Sequence, residues 1–278
     1  MSDAYTDGAA ADNSTIERFL NDHTLKRVGA AIAGAFTLAV GVLLYFIIDF
    51  ANPDLFVRII PRFLEAFVLV LGIVAGGSIL SIPLGIFVGL GRVSKTRFTN
   101  AISTGYVEFF RGTPLLFQLI VIYYGIPALW IQNFGDFPIS NWAIPAAIIG
   151  LMLNHGAYVG EAIRGGIGAV PEGQMEAARS LGMSYVQAMR EVILPQAWRN
   201  ALAAIGNDQV ILVKDTSLLT VIAVPELISE FRQVNSATFD PWTPIILVAI
   251  LYLCITIPLG KFVRYLEARS DWGGGDRR

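Results

Sequence analysis

Asp208, Lys214 and Asp215 lie inside an otherwise apolar stretch and are the first side chains here that could act on a ligand. A charge at the centre of a bilayer costs roughly 2.5–3.5 kcal/mol, so three of them facing lipid would cost about 7–10 kcal/mol. They must therefore face protein, water or the outer interface. On a helix, Asp208 and Asp215 share one face, and Asn207 and Lys214 share another about 100° away. A flank carrying both signs suits a translocation path for a zwitterionic solute. The same residues equally suit a structural network near the outer end, with Lys214 and Asp215 at the interface. Gln118 and Asn154, lone amides among apolar residues, join the candidate path; interhelical hydrogen bonding is their other reading. His155, beside Asn154, reads first as a packing histidine. Glu161 with Arg164, and Glu108 with Arg111, stand at the i, i+3 spacing of helical ion pairs and are read as structural anchors.

Catalysis finds no constellation in this chain. There is no GxxxxGK[ST] phosphate loop, so the chain is not expected to hydrolyse ATP. The string GGIGAVPEG holds a GxG but follows no strand. With only His23 and His155 present, a histidine metal site is not expected. An intramembrane enzyme would need convergent His, Ser or paired carboxylates, and only Asp208 and Asp215 come near.

The elements that must position these residues are membrane spans. Charged residues make up 15% of the chain against about 25% in soluble domains, and mean hydropathy is +0.59. Charge-free runs at 28–48, 66–91, 112–135 and 241–260 each reach the roughly 20 residues needed to cross a bilayer. The run 137–160 carries only His155. A sixth span, 200–224, holds the charged residues above and is decided by topology. With six spans and a cytoplasmic N-terminus, all but four of the 20 Lys and Arg fall on cytoplasmic segments. The four are Arg58, Arg62, Lys214 and Arg232. The stretch 92–111 is read as a cytoplasmic loop. In the second span the GxxxG pairs Gly72/Gly76 and Gly85/Gly89 serve either packing within the subunit or a dimer face, and Pro83 is expected to kink it.

No cleavable signal peptide is seen at the polar, acidic start. The single cysteine, Cys254, permits no disulfide within the chain. A net charge of -2 favours neither nucleic acid nor anionic lipid as a partner.

Between the run 137–160 and the span 200–224 lies a polar segment with the marks of two capped helices. Pro171 starts the first and Gly182 stops it. Glu172 and Glu176 sit in its N-terminal half and Arg179 in its last turn, matching the helix dipole. Ala177, Ala178 and Leu181 form a small apolar face. Ser184 and Gln187 make a capping box for the second helix, which is expected to end near Pro195.

Glu176-Ala177-Ala178, Gly182, then Val192, Leu194 and Pro195 resemble the EAA loop of ABC importer permeases. RGTPLLFQL at 111–119, AYVGEAIRGGI at 157–167 and KDTSL at 214–218 narrow the resemblance to the polar amino-acid uptake subfamily, the permeases for His, Gln, Glu, Arg and opines. It covers roughly residues 62–268. It implies an all-α membrane protein of six transmembrane helices. The parts would be a cytoplasmic tail (1–27), an added N-terminal helix (28–50), the five-helix type I core with its cytoplasmic EAA coupling loop (62–268) and a C-terminal tail (269–278). Glu176, Ala177, Ala178, Leu181, Gly182 and Pro195 would grip a separate ATPase. Partners would be a dimer of ATP-binding subunits, a second permease subunit (identical or paralogous) and an extracytoplasmic amino-acid-binding protein, in the cell membrane with both termini cytoplasmic. No cofactor is expected on this chain; ATP and Mg would be held by the partner. The rival is a secondary transporter or channel working alone, for which an internal repeat and paired broken helices are missing.

Overall fold

The computed structural model describes residues 23–270, so most of the expected N-terminal tail (1–27) and nearly all of the C-terminal tail (269–278) lie outside the described residues. Every regular element among them is helical. The chain divides near Pro53 into two units. The first holds α1, His23–Asp49, whose residues 28–48 are apolar around the whole circumference, as suits a helix immersed in lipid.

The second unit begins with α2, Pro53–Arg92. At 40 residues it is about 60 Å long, twice a bilayer core, and it starts well before the charge-free run at 66. The extra turns form because residues 54–65 are amphipathic: Ile59 and Phe63 are buried in a cluster with Leu247, Val248 and Leu251. Next, α3 (Arg97–Gly112) occupies the stretch expected to be a loop, burying Ser103 and Val107. α4, Leu115–Phe134, contains a π-helical turn at Val121–Gly125.

α5, Ala143–Gly168, is the hub of this unit and buries twelve side chains or glycines. It meets α2 through glycine. A Cβ on Gly85 of α2 would lie 2.8 Å from the Gly156 carbonyl, and one on Gly89 would lie 2.7 Å from that of Gly160. The second GxxxG pair therefore serves packing within the subunit, glycine face against glycine face. Gly72 of the first pair has nothing near it.

α6, Glu172–Ser180, and a short α7, Tyr185–Ala188, follow. A π-helical turn at Met189–Ile193 then runs straight into α8, Leu194–Asp215. The second helix of the polar segment therefore does not end near Pro195. Pro195 sits just after that turn, where the wider π-helical turn accommodates both its ring and its missing N–H. α8 packs along α5. Its 22 residues span about 33 Å, enough to cross, although among the described residues it is five other helices that meet both the length and the apolarity of a span. A 3₁₀ turn (Thr216–Ile222) leads to α9, Leu227–Thr238, and α10, Trp242–Ser270, closes the bundle.

Candidate functional site

Two places in this unit gather most of the polar residues singled out by the sequence. The first is a cleft of ≈ 410 Å³ where α5 and α8 meet the junction of α3 and α4. Asp208 and Asp215 do share a face of α8, and that face meets His155 of α5. His155 Nδ1 donates to Asp208 Oδ1 at 3.0 Å, and its Nε2 lies 3.4 Å from Asp215 Oδ2 without a hydrogen-bond partner. Asp208 also accepts from Gln209 Nε2 at 3.2 Å. The imidazole is 1% exposed, so it is held between two carboxylates away from bulk water. Arg111, Thr113, Tyr158 and Ile211 complete the walls. A cleft lined by carboxylates and a guanidinium can hold a small solute bearing both charges.

Asn154 lines this cleft too, but its amide is engaged: Nδ2 donates to Gln118 Oε1 at 3.0 Å and to the Phe110 carbonyl at 3.2 Å. Gln118 is buried outside the cleft wall and donates to the Phe110 carbonyl and to Thr113. The two amides thereby satisfy carbonyls left open where α3 ends. Asn207 and Lys214 lie on the exposed side of α8, away from the paired aspartates.

Beside the cleft, one carboxylate gathers three arginines. Glu161 of α5 accepts from Arg92 at the end of α2 and from Arg164 Nη2 at 2.6 Å, and it lies 3.6 Å from Arg111. Glu161–Arg164 is the i, i+3 pair read from spacing. Glu108–Arg111 is not formed: Glu108 points outward, while Arg111 turns to Glu161 and lays its guanidinium 5.3 Å from the Tyr158 ring centre. Spacing named neither Arg92 nor the meeting of His155 with the aspartates. The partners are 69 and 53 residues apart in the chain, and no local pattern encodes such a distance.

The second place is the polar segment. α6 ends in a Schellman turn: the Gly182 N–H reaches the Arg179 carbonyl at 3.0 Å, and the Met183 N–H reaches the Ala178 carbonyl at 3.2 Å. Gly182 takes φ +85°, the left-handed conformation that this turn demands. Ser184 Oγ accepts from the Gln187 N–H at 3.2 Å while Gln187 Oε1 accepts from the Ser184 N–H at 2.8 Å, a complete capping box. Ala178 is buried toward the bundle, near a cluster of Val170, Ile193 and Ala197. Glu176, Ala177, Gly182 and Pro195 are exposed, as are Leu181 at 81% and Val186 at 72%. The result is a doubly capped, exposed protrusion that presents the apolar side chains of Leu181 and Val186.

Residues 81–272 match the family described as binding-protein-dependent transport system inner membrane component. The arginine transport system permease protein ArtQ of Bacillus subtilis is 36% identical over 76% of this chain and 93% of its own length. The probable glutamine ABC transporter permease protein GlnM of the same organism is 39% identical over 69% of this chain and 85% of its own. Among solved structures, an amino acid ABC transporter crystallised with histidines superposes with a TM-score of 0.70 at 34% identity, covering 79% of this chain and 99% of that one.

Proposed function

The chain belongs to the family of binding-protein-dependent transport system inner membrane components, and we propose that it is the permease subunit of an ATP-driven importer for polar amino acids. The observation that carries this is the exposed, doubly capped protrusion on a chain that has no phosphate loop of its own. Leu181 and Val186 lose apolar surface to water until another protein covers them. A groove on a separate ATP-binding subunit is that cover, with Glu176, Ala177, Leu181, Gly182 and Pro195 as the grip, while Ala178, expected from the EAA spacing to join them, is buried and seats the helix on the bundle instead. Closure of two such subunits on ATP and Mg moves the protrusion, and α8, continuous with it through the π-helical turn, passes the movement to the bundle. A second permease subunit faces the first, a binding protein delivers the solute from outside, and both termini lie in the cytoplasm. The solute passes the cleft of Arg111, His155, Asp208 and Asp215, whose charges match an amino acid's carboxylate and ammonium groups.

The test is Glu176→Lys and Gly182→Val in the assembled transporter. Valine at φ +85° costs roughly 1–2 kcal/mol of local strain, and a reversed charge at the grip costs several kcal/mol of docking. Amino-acid uptake and solute-stimulated ATP hydrolysis should both fall at least about tenfold while membrane insertion persists. Normal coupled uptake in both variants would refute the assignment of this segment.

A further inference from the structure

Arg111 differs from the other two arginines at Glu161. Arg92 and Arg164 each donate a hydrogen bond to that carboxylate. Arg111 approaches it by charge alone, at 3.6 Å, and has a half-exposed side chain (40%) that also lines the cleft together with His155, Asp208 and Asp215. Its flat guanidinium rests on the Tyr158 ring, a support that holds the plane while leaving the N–H edge free to turn. One cation therefore stands between two places: the cleft, and a carboxylate on the helix that leads out into the 172–195 segment.

We propose that Arg111 exchanges partners, leaving Glu161 for the carboxylate of an amino acid in the cleft, and that this exchange signals occupancy to the joint above the coupling segment. The inference rests on the importer reading given above. A guanidinium binds a carboxylate in a two-pronged geometry that Glu161, already taken by Arg92 and Arg164, does not offer it. A free carboxylate in the cleft does offer it. Departure of Arg111 leaves Glu161 with two arginines and loosens the tie between the end of α3 and α5. Because coupling is reciprocal, a movement of the segment that pulls Glu161 away also frees Arg111 and changes solute affinity by the same factor. Arg92, which binds the end of α2 to the same carboxylate and whose own carbonyl accepts from Asn100, is the fixed point of the arrangement.

The experiment uses the complete transporter with its ATP-hydrolysing partner in lipid nanodiscs, with L-arginine, L-glutamine and L-glutamate as separate probes. Binding and solute-stimulated ATP hydrolysis are measured for Arg111→Gln and Glu161→Gln. R111Q should lose about 10- to 100-fold in probe affinity, the worth of one charged hydrogen-bonded contact, and its stimulation with it. E161Q should bind the probe as tightly as the unaltered protein or more tightly, yet show no stimulation. That split between binding and coupling is one that a merely structural role would not give. If E161Q fails to assemble, Glu161→Asp asks the same question with the charge kept but drawn back, and should keep binding while losing most of the stimulation. Unaltered probe affinity in R111Q, or unaltered stimulation in E161Q or E161D, overturns the inference and leaves the importer reading standing. ATP hydrolysis in the unaltered complex that ignores all three probes would overturn that reading, and this inference with it.

Discussion

The 172–195 segment and the cleft at His155 are both polar, yet they are built in opposite ways. The segment is stabilised by contacts between near neighbours: Gly182 to Arg179, Met183 to Ala178, Ser184 to Gln187. Its outer face is open. In the cleft the partners come from distant parts of the chain, and His155 is sealed between α5 and α8. A locally specified handle keeps its shape while the elements under it move. A tertiary cluster changes whenever its helices move, so the first is suited to being gripped and the second to sensing or carrying a solute.

The comparison predicts that damage in the two regions has different consequences. The largest effect on folding is expected from His155→Leu, which leaves the nearly buried Asp208 carboxylate facing an apolar side chain. Breaking a buried pair in this way costs about 3–5 kcal/mol. The purified protein should melt markedly lower, with loss of transport following loss of fold. An unchanged melting temperature in H155L would break the comparison. The segment variants E176K and G182V, by contrast, should lower melting only slightly while abolishing coupling.

A smaller effect sharpens the same contrast at a second buried carboxylate. Glu226, at the start of α9, is fully buried and accepts from the Ile228 and Ser229 N–H groups at 2.8 and 2.7 Å. Burial pushes its carboxyl up from the ordinary 4.5 to about 7, opposed by those two N–H groups and by the Tyr252 hydroxyl. An acid raised in the folded state contributes its full stability below about 4.5, and that contribution is lost as pH rises through about 7. Melting of the unaltered protein should therefore decline across that window. Glu226→Gln, which cannot ionise, should flatten the decline. An identical pH profile in E226Q would show that the capping geometry, not the charge, governs this corner.

How much of this was legible in the sequence follows from the same division. The caps of the 172–195 segment were readable because they are encoded within a few residues: Gly at the turn, Ser and Gln three apart. The face shared by Asp208 and Asp215 was readable from helical period. What they face was not, because His155 reaches them only once α5 and α8 are packed. Arg111 was assigned to Glu108 on spacing alone; the fold instead turns it toward Glu161, where Arg92 and Arg164 already concentrate on one carboxylate. The stretch 92–111 reads as a loop because its charges hide a helix whose buried side is only Ser103 and Val107. Pro195 reads as a stop because the π-helical turn that accommodates it has no sequence signature of its own.

The central claim is that the protrusion is held by an ATP-hydrolysing partner on the cytoplasmic side. Its most direct test places a single thiol on the protrusion, Leu181→Cys with Cys254→Ser, in cells producing the whole transporter. A short thiol cross-linker should join this chain to the ATP-binding subunit, and a membrane-impermeant maleimide added outside intact cells should leave the thiol unlabelled. Labelling from outside, or a protrusion that never cross-links to any nucleotide-hydrolysing protein, would contradict the account.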